Sequence, residues 1–363
     1  MKTAYRYLCY GLKKSLLRTV IFTVIAVIIS MMIIRSDALT GYVQYRETGI
    51  YILATLLGVI ATILPILELS EFKNRRNLDT LYFFPIERKK MALVHYFSGL
   101  IQMTAIYTVT YGIAFIFLLL NTDYFALGYM IPYYFASLGI GIVMYSFFSF
   151  TFNQGNTVTD GIIISLLWAF VAYVVMYMGM RTVLREFFGM QNWADPSWRE
   201  LYRTLSAVPS WGIVYAPINN LTVIFQNLIE VNKQADEYYY SARALEYASQ
   251  WYMFVAWGVA GIASAVGFIF GFARKGAHLA GEPSSSWFGY KTLIPIYGYM
   301  LLMYLAAGNA GTIAFILTII AMFIGYVIYR RSFRLKKSDI IVLCCSIVPI
   351  VIGAIIDHTH VLR

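Results

Sequence analysis

Residues 91–120 read MALVHYFSGLIQMTAIYTVTYGIAFIFLLL, thirty positions without one Asp, Glu, Lys or Arg. About 20 such residues suffice for a helix to cross roughly 30 Å of hydrocarbon. Working outward from this run, the same pattern recurs at 19–34, 49–67, 129–152, 160–180, 251–272, 293–307, 310–328 and 340–356, with Asp160 the one charged residue among them. The whole chain is 60% apolar and 13% charged, against roughly half and a quarter in a soluble domain. A water-soluble globule of this size could not hide so much apolar surface, so lipid has to be the solvent for much of it. Disorder, a disulfide-stapled secreted domain and a nucleic-acid binder are excluded. The fold class expected is an all-α polytopic membrane protein with about nine transmembrane helices.

The loops set the expected orientation. Segments 1–18, 68–90, 153–159, 273–292 and 329–339 together carry 19 Lys or Arg, whereas the short segments on the opposite side carry 3. Basic residues collect on the cytoplasmic side of short loops. The N-terminus is therefore expected inside and the 70-residue segment 181–250 outside. The formal charge of +10 reads as a topology signal and not as a nucleic-acid footprint. Lys13, Lys14 and Arg18 precede the first apolar run as they would in a signal peptide, but no small-x-small cleavage site ends it. An uncleaved first span is expected.

Residues 1–18 carry Tyr5, Leu8, Leu12 and Leu16 at helical spacing with a basic remainder, the pattern of a cytoplasmic interfacial helix. Segment 68–90 is the most informative. It runs polar, presents Leu78, Leu81, Tyr82, Phe83 and Phe84, breaks at Pro85, and flanks the cluster with six basic and four acidic residues. Three consecutive aromatics have to be buried in headgroups or against another protein. A short helix ended by Pro85 would offer a partner an apolar knob with a charged rim. In 181–250 the stretch 217–231 is amphipathic and too short to span, while Trp193, Trp198, Trp211 and Tyr238–Tyr240 fit an aromatic belt.

Several chemistries find no residues. There is no phosphate-loop motif, and no cytoplasmic segment is longer than 23 residues, so the chain has no room for a nucleotide-binding domain. The spans lack the buried charges of ion-coupled carriers, and His95, Gln102 and Asn153 are the main polar exceptions. Cys9, Cys344 and Cys345 make neither a disulfide framework nor a metal spacing, and His358-x-His360 could bind a metal, although two histidines on a tail are more often incidental. No nucleophile–base arrangement is visible, so no catalytic or metal site is expected and no substrate-binding residue is assigned.

The pattern resembles the membrane subunit (permease) of bacterial ABC-2 type transporters. An amphipathic helix leads into the first span. The loop after the second span reads Asn77-Leu78-Asp79-Thr80-Leu81-Tyr82-Phe83-Phe84-Pro85-Ile86-Glu87-Arg88, and a long outer segment separates spans five and six. After span six, Lys275-Gly276-Ala277-His278-Leu279-Ala280-Gly281 is similar to a basic-x-x-Glu-x-Ala-Gly stretch, with His278 in the place of Glu. The resemblance implies an interfacial helix at 1–18, an ABC-2-like six-helix unit over 19–272 with its outer segment 181–250, and a cytoplasmic loop with three additional C-terminal helices over 273–363. It implies that Asn77, Leu78, Leu81, Tyr82, Phe83, Phe84, Pro85 and Arg88 form the helix that couples to a separate ATPase subunit. That partner would bind ATP and magnesium; this chain would need no cofactor and would not itself be an enzyme. A second permease chain, identical or not, and membrane lipid would complete a multi-pass exporter of an amphipathic drug, peptide or lipid-like substrate in the bacterial cell membrane. A secondary transporter or channel without an ATPase, or a non-transporting membrane enzyme, is the alternative.

Overall fold

A computed structural model of the chain describes residues 2–39, 48–74, 86–121, 127–175, 218, 221, 224–225, 251–276, 279–282, 284, 286–307 and 312–352. Among these residues there is no β-strand. The helices are α1 Lys2–Leu39, α2 Thr48–Ser70, α3 Arg88–Asn121, α4 Leu127–Gln154, α5 Val158–Val174, α6 Trp251–Arg274, α7 Tyr290–Ala307, α8 Thr312–Arg330 and α9 Lys337–Cys345. A 3-10 turn, Glu71–Lys73, extends α2. The protein is an all-α membrane protein in which six described helices, α1, α2, α3, α4, α6 and α8, are long and apolar enough to cross a bilayer. The described residues of each apolar run are largely helical.

Contacts divide the chain into two compact units. The first comprises 1–153 and 214–280 and holds α1 to α4 with α6; the second comprises 154–213 and 281–363 and holds α5 with α7 to α9. Residues 2–18 run without a break into the first span as one 38-residue helix. This continuity is affordable to the fold because Arg18 and Lys14 find carboxylate partners on the neighbouring helix end. The face of α1 turned inward at this end is small and polar, with Ser15 buried, while Tyr5 and Leu16 of the expected apolar stripe are exposed.

Within the first unit α3 is the central helix, packed by α1, α2 and α6. Helix α4 joins it through tyrosine hydroxyls: Tyr96 Oη with Ser146 Oγ at 2.6 Å, and Tyr111 Oη donating to the Met130 carbonyl at 2.8 Å. Hydrocarbon cannot satisfy these groups, so they meet each other between helices, at about 0.6 kcal/mol per bond. Helix α6 lies against α4, where Gly267 faces the Phe150 ring and Gly271 faces Asn153. In the second unit α7 packs on α5 and α8. Tyr290 Oη donates to Asp160 Oδ1 at 3.0 Å and Tyr297 Oη to the Leu167 carbonyl at 2.6 Å. The turn that opens α5 needs Gly155, because a Cβ there would lie 2.3 Å from the Gly161 amide nitrogen.

Candidate functional site

The charged groups of the first unit meet at one end of its bundle. Glu68, in the last turn of α2, is 8% exposed. Its Oε1 accepts from the Arg18 guanidinium of α1 and from Gln102 Nε2 of α3, the latter at 2.6 Å. Arg18 also donates to Gln102 Oε1 at 2.8 Å, and Gln102 Nε2 reaches Ser98 Oγ at 3.1 Å. His95, one turn nearer the start of α3, places Nδ1 3.5 Å from Glu68 Oε2 and shares a hydrogen bond of 3.1 Å between Nε2 and Tyr7 Oη. The Phe72 ring stands edge-on to the imidazole, with centroids 4.6 Å apart. Lys14 pairs with Glu71 at 2.7 Å on the exposed side. A buried carboxylate is tolerated here because an arginine and an amide hydrogen-bond it directly.

This cluster corrects the expectation that the spans hold no buried charge. Arg18 and Glu68 read as loop residues because an apolar run ends at its first charge. The helices continue past them and turn the charges toward one another. The sequence signal was present in Glu68, just past one apolar run, and Gln102, inside another, but nothing in the sequence pairs residues 34, 50 or 84 positions apart.

A second set of contacts closes the C-terminus of α4. Lys73 Nζ donates to the Phe152 carbonyl at 2.6 Å and lies 4.2 Å above the Phe152 ring centroid. Lys275 Nζ, just past α6, donates to the Asn153 carbonyl. The last carbonyls of a helix carry no intrahelical partner and a negative partial charge, so two ammonium groups suit them. Burial pushes the Lys275 amine down to about 7. Arg88, the first residue of α3, donates to the Lys275 carbonyl at 2.9 Å.

Of the expected coupling residues, Asn77, Leu78, Leu81, Tyr82, Phe83, Phe84 and Pro85 lie outside the described residues, and Arg88 starts α3. His278 and nearly all of 181–250 also lie outside. The described residues on either side of 75–85 are both fastened to the bundle: Lys73 to α4 before it, and Arg88 to the α6 end after it. Among the described residues no group of three or more His, Cys, Asp or Glu gathers as a metal would need. No protein-family model matches the sequence, and no curated protein or solved structure is detectably similar to it.

Proposed function

We propose that the chain is the permease subunit of an ATP-driven exporter of the ABC-2 type, with nine spans and a cytoplasmic N-terminus in a bacterial cell membrane. A separate ATPase subunit would energise it, and a second permease chain would complete the pathway for an amphipathic substrate. The supporting observation is the double fastening around 75–85. A coupling element has to pass force between a cytosolic partner and the spans, so its two ends should be fixed to rigid helices. Lys73 and Arg88 hold those ends against α4 and α6. Between them the sequence places Leu81, Tyr82 and Phe83, apolar side chains suited to the centre of a small interface.

Truncating an aromatic anchor of this kind costs about 2 kcal/mol or more, some 30-fold in affinity. Phe83→Asp is expected to leave membrane insertion intact while the ATPase no longer co-purifies and transport stops. Full retention of the ATPase by correctly inserted Phe83→Asp protein would refute the coupling assignment.

One observation favours a secondary carrier instead. Tyr7, His95 and Glu68 form a line of titratable groups leading into the bundle, as proton-coupled transport would require. The two mechanisms separate in proteoliposomes without any ATPase. A carrier would move substrate under an imposed pH gradient and lose that flux in Glu68→Gln; the exporter shows no such flux.

A further inference from the structure

We propose that the joined ends of α3 and α6 form a binding site for one anionic phospholipid, with the headgroup phosphate held by Lys89, Lys90 and Arg274. The two helix ends are held side by side: Arg88 bonds the Lys275 carbonyl, and Lys89 Nζ lies 5.3 Å above the Phe270 ring centroid of α6. Lys89, Lys90 and Arg274 are all exposed. The acidic residue beside them is Glu87, which takes Lys90 at 3.1 Å; Lys89 and Arg274 have no acidic partner among the described residues. Positive charge therefore exceeds negative at this spot. The first turn of α3 adds amide groups whose partial charge favours an anion there.

Hydrocarbon recognition continues directly from the charge. Arg274, Phe270, Val266 and Ile262 recur every four residues along one face of α6, and the last three are exposed, Ile262 to 70%. On α3 Phe97 is exposed two turns below Lys89. An acidic protein surface would use the cations and leave this apolar stripe unoccupied. A phospholipid matches both, because its phosphate sits at the boundary and an acyl chain runs down the stripe.

The test uses full-length protein in neutral detergent, incubated with equal amounts of phosphatidylglycerol and phosphatidylcholine and measured by native mass spectrometry. Wild type should retain phosphatidylglycerol preferentially. A basic residue near an anionic lipid surface contributes enough that Lys89→Gln with Arg274→Gln should weaken retention about 30-fold. Arg334→Gln with Lys337→Gln removes the same charge from exposed positions elsewhere and should change nothing. Equal losses in the two double variants would reduce the site to diffuse attraction and overturn it. Unchanged retention in the first pair would overturn it too, as expected if these cations serve an acidic protein. If that pair does not elute as folded protein, Lys89→Gln alone should lose about 5-fold, and no loss there counts against the site.

Discussion

Asp339 is 1% exposed and accepts Arg330 Nε and Nη2, each at 2.9 Å, the Lys336 amide at 3.2 Å and Ser338 Oγ at 3.1 Å. Burial alone would raise its carboxyl; the bonds from Arg330, the Lys336 backbone and Ser338 outweigh that and hold it below its ordinary value near 3.8. Its contribution to stability is thus present above that value and lost as the pH falls through the lower, folded one. Asp339→Asn strands a mostly buried guanidinium, and the expected cost is about 3 kcal/mol in unfolding free energy. Arg330→Met with Asp339→Leu should recover most of it. Thermal unfolding in detergent reads both, and a neutral Asp339→Asn would show the pair to be incidental. Lys275 is a cost where Asp339 is a gain, although stability here also rises with pH. With its amine near 7 in the fold and 10.5 ordinarily, the cost of burying its charge is complete below about 7 and is relieved as the pH rises toward 10.5. The stability of wild type relative to Lys275→Gln should therefore climb from pH ~6 to pH ~9; a flat difference would mean that the amine keeps its charge throughout.

The α4–α6 contact makes a prediction about whole elements. A Cβ at Gly267 would lie 2.9 Å from Phe150 Cε2, so a larger residue pushes the ring or the helix aside. Gly267 and Gly271 read in sequence as a small-x-x-x-small pair that could serve internal packing or a subunit interface. The structure turns both toward α4 within the first unit. Gly267→Leu should lower the yield of folded protein, because overpacking a close helix contact costs about 1–3 kcal/mol. Folded but monomeric Gly267→Leu would instead point to a subunit interface. Helices were legible from apolar runs because each run was long and carried almost no charge. Their true ends were not, since Arg18 and Glu68 look like loop residues until the partner helix is in place. The polar cluster at the bundle end was hidden for the same reason: Tyr7, Arg18, Glu68, His95 and Gln102 come from three helices, and no local pattern links them. Segment 75–85 is the reverse case, informative in sequence through its Leu, Tyr, Phe and Pro residues and outside the described residues in the structure.

For the whole molecule the open quantity is the number of crossings, because α5, α7 and α9 stand outside the six helices long enough to cross, and the pair α7 with α8 tests part of it. Helix α7 has 18 residues, including Pro295, and α8 has 19. At 1.5 Å per residue these helices are about 27 and 29 Å long, close to the roughly 30 Å of hydrocarbon, and Pro295 can kink α7. They pack on each other and are joined at 308–311. If both cross, that joint faces outward; if they dip in and return as a hairpin, it stays within the membrane and the count falls from nine to seven. Residues on the far side of the pair cannot distinguish the two, because α9 begins on the same side in either case. With Cys9, Cys344 and Cys345 replaced by serine, a membrane-impermeant maleimide added from outside should label Asn309→Cys and Ser197→Cys and spare Ser70→Cys and Ser338→Cys. An unlabelled Asn309→Cys beside a labelled Ser197→Cys would establish the hairpin. Labelling at Ser70→Cys would invert the first unit and move the Arg18–Glu68 end, with the segment that leaves it, to the outer face. No cytosolic ATPase could then reach residues 77–85, so this one position tests both the orientation and the precondition of the exporter mechanism.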